Sequence, residues 1–345
     1  MKPASLFAII LALGLYATPL PTADAFGPQR PVWQDTADAR WQTEMQRLAG
    51  LSDGTVGVAV RNLSTGQTLS FNADTMFPMA STYKVAVAGK IFSMIDAGAI
   101  SLQQIVTVDQ ALMSSGGIAD LLPHSGAALS VYNLLDLMLT RSDNSATDVL
   151  VALAGGAGAV DSWVKAAGVR GLRVDSNTAQ LLYRAMGINP PGGRFQTNVN
   201  AALAADPALR ERDAHDLPNM AFAADPRDTA TPRAMADLLV ALRTGKLLSA
   251  QSTSVLLTIM ERCRTGAKRL PGMLPPGASV AHKTGSLNGL GADVGVVAMP
   301  DGQIFAISVY VMKDHKGHEA RDQIMAHAAR AAYDYFLFSA GHKGA

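Results

Sequence analysis

Ser81-Thr82-Tyr83-Lys84 places a hydroxyl and an amine three residues apart. A serine hydroxyl is a poor nucleophile at neutral pH, so a base must take its proton. Residues three apart share a helix face, and a helix beginning here would let Lys84 reach Ser81. Pro78 just before it, and the apolar run Val85 to Asp96 with little glycine, predict that helix. Unpaired N–H groups and the positive dipole end in its first turn would suit a developing anion. The bland reading of the tetrad is a capped helix with a surface lysine. Two more stretches weigh against it. Ser142-Asp143-Asn144 offers a hydroxyl that relays a proton and an amide that both donates and accepts. Lys283-Thr284-Gly285-Ser286 offers a cation, two hydroxyls, and a glycine that would let a substrate lie close to a strand.

The elements that must carry these residues follow from pattern. Residues 35–49 read as an amphipathic helix, and Thr55 to Val60 and Thr68 to Phe71 as a hairpin around Asn62 to Gly66. Helical character then dominates to about Ala241. Leu129 to Thr140 has Leu134, Leu135, Met138 and Leu139 at helical spacing. Ala146 to Leu153, Ala157 to Ala167 and Leu247 to Cys263 read as further helices, and Thr231-Pro232 caps another from Ala234 to Arg243. Strands return at Ser279 to Thr284, Val294 to Ala298 and Ile304 to Met312, before a last helix from Ala320 to Phe338. Strands at both ends and helices between predict an α/β chain of the α+β type. One antiparallel sheet of five strands is flanked by helices and joined to an all-α lobe. The expected boundaries are about 35–75 and 265–345 for the sheet lobe and about 80–262 for the helical one. Lys-Thr-Gly falls at a strand end and Ser81 at the seam, where ligand sites concentrate.

With the three motifs in this order, the chain resembles the class A serine β-lactamases and the related penicillin-recognising D,D-peptidases. The resemblance runs from about Thr36 to Phe338. It includes Pro226 to Pro232, similar to the segment that closes the omega loop. It implies Ser81 as the acylated nucleophile, Lys84 as a candidate base, and Ser142 as the proton carrier to the leaving nitrogen. Asn144 would hold the substrate's side-chain amide, and Lys283 and Thr284 its carboxylate, beside Gly285. The Ser81 and Ser286 N–H groups would form the oxyanion hole. The implied substrate is a β-lactam or a D-Ala-D-Ala-like peptide. A D,D-peptidase or esterase with slow β-lactam deacylation, or a sensor that is acylated without turnover, is the alternative.

The omega loop departs from that family. Arg173-Val174-Asp175 starts in register, but Thr178 stands where the hydrolytic glutamate belongs and Leu181-Leu182 replaces Leu-Asn. A threonine is no general base at neutral pH. An insertion from about Leu182 to Ala224 follows, with a possible helix from Asn200 to Arg210. A loop of this length is a lid, a lid that supplies a replacement carboxylate (Glu211, Asp213 or Asp216), or a surface insert with no role.

The 345 residues are 48% hydrophobic and 17% charged, enough for a sizeable core, and the net charge of +1 gives no pull toward nucleic acid. Lys2, the apolar Leu6 to Tyr16 and Ala23-Asp24-Ala25 predict a signal peptide cleaved after Ala25, hence a periplasmic or secreted protein. No later segment reads as a membrane span, and a monomer is expected. Cys263 is the only cysteine, which precludes an internal disulfide, and reads as a small hydrophobe in an apolar helix. His282 should face away from Lys283 by strand alternation. His315 and His318 lack a third ligand, so no metal and no cofactor is expected.

Overall fold

The computed structural model describes residues 32–114, 116–122 and 124–340; the expected signal peptide lies outside them. The chain opens with α1 (Val32–Ala49), then the hairpin β1 (Thr55–Asn62) and β2 (Thr68–Phe71), and a short β3 (Phe77–Pro78). A 3₁₀ turn, Ala80–Tyr83, leads into α2 (Lys84–Asp96). A small hairpin, β4 (Ile105–Thr107) and β5 (Ala128–Ser130), encloses α3 (Ile118–Leu121). The helical lobe continues with α4 (Val131–Thr140), α5 (Asn144–Leu153), α6 (Ala157–Ala166) and α7 (Thr178–Met186). The insertion holds α8 (Phe195–Ala205), α9 (Pro207–Ala214) and α10 (Met220–Ala223). Then come β6 (Thr229–Ala230), α11 (Pro232–Arg243), α12 (Ala250–Glu261), β7 (Ser279–Leu287), β8 (Leu290–Ala298), β9 (Ile304–Met312) and α13 (His318–Ala340).

The five-stranded sheet runs β2-β1-β9-β8-β7, every neighbour antiparallel, so the two ends of the chain meet at the β1–β9 pairing. Alternation along these strands sorts side chains to two faces. One face packs on α1 and α13 through Trp41, Leu48, Val58, Ile324 and Phe336. The other joins the helical lobe through Phe77, Tyr83, Met138, Leu139, Val294 and Tyr310.

Local signals fix most boundaries. Ser130, Asp143, Thr231 and Ser249 each accept a backbone N–H at the start of their helices, and Pro232 fills a first-turn position that has no N–H to lose. Helix α2 is buried nearly all round, with Val85 to Ala88, Ile91 and Phe92 inside. It is a fixed post through the lobe, and Ser81 to Lys84 sit at its top.

The expectations changed in several places. The α-helix begins at Lys84 and not at Ser81, because Ala80 adopts a left-handed backbone with φ of 46° and the preceding residues tighten into a 3₁₀ turn. Strand β7 extends to Leu287, so Lys283 to Ser286 lie within the strand and not at its end. In the insertion, the expected single helix is two, split at Asp206, whose carboxylate caps Pro207–Ala214. This segment is folded on its own apolar contacts: the rings of Phe195 and Tyr183 pack tilted with centroids 4.8 Å apart, and Phe195, Val199, Leu209 and Phe222 are buried. That packing does not fit an insert lying loose on the surface.

Candidate active site

Ser81 lies half-buried on a cavity of about 240 Å³, walled by Tyr83, Ser142, Asn144, Thr178, Thr265, Arg269, Thr284 and Ser286. The turn that presents it is tied down on both sides. Met79 N–H donates to Asp228 O at 2.9 Å, and Thr82 Oγ1 bonds Met79 O at 2.7 Å and Tyr310 at 3.1 Å. Ala80 and Ser142, with φ of 46° and 59°, are non-glycine residues in the left-handed region. Such backbone costs roughly 1–3 kcal/mol each and persists only where the surroundings enforce it.

Beneath the cavity lies a chain of donors and acceptors. The fully buried Lys84 Nζ donates to Ser142 O and Asn144 Oδ1, each at 2.8 Å, and to Ser142 Oγ at 3.3 Å. Lys283 Nζ, also fully buried, reaches the same Ser142 Oγ at 2.9 Å and Thr284 O at 2.8 Å. One hydroxyl therefore bridges two amines. Burial holds the Lys84 ammonium well below its ordinary value, and the neighbouring Lys283 charge adds to this; Asp148 and Asp143 oppose it. Burial pushes Lys283 down to about 8. Two amines on one hydroxyl, with the hold of Lys84 on its proton weakened by burial, form an arrangement that can move a proton off one hydroxyl and deliver it through another.

Asp143, to which no chemistry was assigned, is structural. Its carboxylate caps α5 at Ala146 N, 2.7 Å, and anchors Ile118 N at 2.8 Å, which fixes Ser142 and Asn144 on either side.

At the opposite end of the cavity, Thr284 Oγ1 contacts Thr265 Oγ1 at 2.6 Å. The buried Arg269 guanidinium bonds Gly285 O at 3.0 Å, Ala292 O at 3.1 Å and Ser286 Oγ at 2.8 Å. Its Nε pairs with Asp322 at 2.7 Å. Arg269 and Thr265 were missed because they sit in an irregular loop with no motif; only the fold brings them to β7. Two cations and three hydroxyls there make a fitting end for a carboxylate.

The glycine in this strand also serves a purpose the sequence did not show. A Cβ on Gly285 would lie 2.8 Å from Met79 O and 3.2 Å from Ser81 N. The bare Cα lets β7 press against the Ser81 turn.

His282 does face away from Lys283, and its Nδ1 pairs with the buried Asp293 at 2.9 Å. Cys263 corrects its sequence reading. It follows the end of α12, is half-buried, and turns its thiol to Thr265 Oγ1 at 3.3 Å. Burial raises that thiol, but the hydrogen bond and charge of His282 outweigh burial and bring it to about 7.

Thr178 opens α7 behind Asn177, whose side chain forms a reciprocal capping box with Gln180. The loop ahead of it is closed by two aspartates. Asp228 accepts Asp175 N at 2.7 Å and Ser176 N at 3.0 Å and pairs with Arg184, while Asp175 accepts Asp228 N at 2.8 Å. None of the insertion's nominal carboxylates lines the Ser81 cavity. Glu211 is exposed, Asp213 holds Asn288 Nδ2 at 3.1 Å, and Asp216 pairs with the buried Arg321 and accepts Gly289 N at 3.2 Å. The insertion is thereby pinned to the β7–β8 turn as an outer wall. His315 and His318 point to different partners, Asp53 and Asp216, each at 3.5 Å.

Comparison with known proteins identifies the family and the fold. The model of the beta-lactamase enzyme family matches residues 40–336. Beta-lactamase VEB-1 of Pseudomonas aeruginosa is 28% identical over 305 residues, covering 85% of this chain and 89% of its own length. Extended-spectrum beta-lactamase PER-1 of the same organism is 27% identical over 293 residues, covering 82% and 83%. Among solved structures, a beta-lactamase from Chitinophaga pinensis DSM 2588 superposes with a TM-score of 0.69 at 29% identity, over 86% of this chain and 98% of that one. TLA-1 extended-spectrum beta-lactamase gives 0.73 at 25%, over 87% and 99%. The chain belongs to the beta-lactamase enzyme family, as a class A serine β-lactamase-like member.

Proposed function

We propose that this protein is an exported active-site serine hydrolase that opens the β-lactam ring through an acyl-enzyme on Ser81. The observation that carries the reading is Ser142 Oγ held between Lys84 Nζ and Lys283 Nζ at the floor of the Ser81 cavity. Neutral Lys84 takes the Ser81 proton as Oγ attacks the lactam carbonyl, and Ser142 passes a proton to the leaving nitrogen. The Ser81 and Ser286 N–H groups receive the oxyanion, whose charge exists only in the transition state; loss of such a donor costs ~10²–10³ in rate. Lys283, Thr284 and Arg269 receive the substrate's carboxylate, and Asn144 its side-chain amide. The export part rests on the signal-like N-terminus, and N-terminal sequencing of the periplasmic protein should then start at Phe26. Nitrocefin tests the activity. Ring opening with turnover supports it, and a protein inert to nitrocefin at every concentration contradicts it.

A second reading is favoured by Thr178. In this reading β-lactam acylation is followed by slow release for want of a glutamate there, and a D-Ala-D-Ala peptide or an ester is the true substrate. A single burst equal to the enzyme concentration with a flat steady state would favour it; continued turnover would not.

Two expectations follow for this site. Lys283 attracts the carboxylate only while protonated. With its value at about 8 in the free enzyme, kcat/KM for an anionic β-lactam should fall about tenfold per unit above that pH, an alkaline limb separate from any acid limb set by protonation of Lys84. Lys283→Arg, which keeps its charge, should remove that alkaline limb; an unchanged limb would assign it to another group. Gly285→Val should push β7 off the Ser81 turn. A displacement near 1 Å costs about 10²-fold in rate, read as a fall in acylation rate with little change in Tm. Wild-type acylation in this variant would refute the close-approach role.

A further inference from the structure

The Ser81 cavity has no glutamate at position 178, yet a buried carboxylate stands directly behind Thr178. Asp148, on α5 and 1% exposed, accepts Thr178 N at 2.6 Å and Ala179 N at 3.1 Å. Thr178 in turn lines the cavity beside Ser81 and bonds Tyr83 OH at 2.7 Å through Oγ1. Burial, reinforced by the Asp148 charge, keeps the Tyr83 phenol well above its ordinary value, so Tyr83 carries a proton it can donate to Thr178 Oγ1. With Tyr83 as donor, the Thr178 hydroxyl is free to donate to the Asp148 carboxylate, an interaction that lowers that carboxyl, and a second lone pair remains to accept from a water. Burial raises Asp148, while the bonds from Thr178 and Ala179 and the charge of Lys84 oppose this. The group is thus poised between cap and proton acceptor.

We propose that a Thr178–Asp148 hydroxyl–carboxylate relay takes the place of the missing glutamate in releasing the acyl group. The proposal rests on the Ser81 acyl-enzyme reading. A water attacks the ester carbonyl, forming the new C–O bond as the carbonyl electrons move to its oxygen. The water's proton passes to Thr178 Oγ1 while the Thr178 hydroxyl proton passes to Asp148. When the oxyanion collapses, the C–Oγ bond to Ser81 breaks, and Asp148 returns a proton through Thr178 to Ser81 Oγ. The product acid loses its proton to solvent, and the enzyme is regenerated. Asp148 acts through Thr178, as the carboxylate of a hydroxyl-centred pair, and is a positioning residue by that measure.

The same aspartate caps α7, so the test must separate the two roles. Wild type, Thr178→Val, Thr178→Ser and Asp148→Asn are mixed with benzylpenicillin, and the Ser81 adduct is followed by intact-mass spectrometry during formation and decay. Valine keeps the shape of threonine and the backbone N–H bonds to Asp148 but has no hydroxyl; serine restores the hydroxyl. Acylation should stay within about threefold in all four. Decay should slow about 10²-fold or more in Thr178→Val and Asp148→Asn, the low end of what acid–base catalysis contributes, and return to near wild type in Thr178→Ser. A purely structural cap would lower Tm without this split between acylation and decay. Adducts that clear at the wild-type rate in Thr178→Val or Asp148→Asn overturn the relay alone. A wild-type protein that forms no adduct on Ser81 overturns the underlying reading and the relay with it.

Discussion

Ser81→Ala is expected to lower nitrocefin turnover by about 10⁴–10⁶-fold, the loss seen when the nucleophile of a concerted catalytic set is removed. The effect should be purely chemical. The turn that presents Ser81 is held by Met79 N–H on Asp228 O and by Thr82 Oγ1 on Met79 O, and neither bond uses the serine hydroxyl. Ala80 keeps its left-handed backbone, and the α2 post below is unchanged. The melting temperature should therefore stay close to wild type. Hydrolysis by Ser81→Ala at the wild-type rate would require another nucleophile, and the whole assignment of roles would fail.

Lys84→Met should lower the acylation rate by about 10³-fold, within the range a positioned general base contributes. Methionine has nearly the same length and fills the buried space. It removes the donor to Ser142 O, Ser142 Oγ and Asn144 Oδ1, and with it the only amine placed under the turn by the helix itself. Leaving those acceptors unpaired costs roughly 1–3 kcal/mol each, but the buried amine's own desolvation is relieved at the same time. Stability should move far less than rate. The contrast between stopped-flow acylation and thermal melting reads this out. A variant that melts early yet acylates normally would make Lys84 a structural residue.

Much of the framework was legible because its signals are local. Ile304 to Met312 alternates and is bounded by the Pro300-Asp301-Gly302 turn, and it forms β9 over those same residues. Thr231-Pro232 announced α11, and strands at both chain ends required one sheet. The three motifs named Ser81, Lys84, Ser142 and Lys283; Ser81 and Ser142 line one cavity, and both lysines bond Ser142 Oγ beneath it. What escaped depends on contacts far apart in sequence. Gly285 and Ser286 read as a strand ending, because glycine usually weakens a strand; here the close turn at Met79 to Ser81 demands it. Arg269 reaches the site only through its bonds to β7 and β8. Asn177 and Gln180 stand three apart in the sequence, as a capping box requires, but the helix they start sits inside an irregular loop region. Asp148 carries no motif at all. It gains meaning only when α7 docks its first N–H groups on it.

The central claim is that Ser81 forms a covalent ester with a β-lactam. Its most direct test is intact-mass spectrometry of the protein quenched at short times after mixing with benzylpenicillin, followed by peptide mapping. The account predicts one equivalent of added penicillin mass, mapped to the peptide that carries Ser81 and absent from Ser81→Ala. An adduct on any other residue, or turnover of the antibiotic with no covalent species at any quench time, would contradict it.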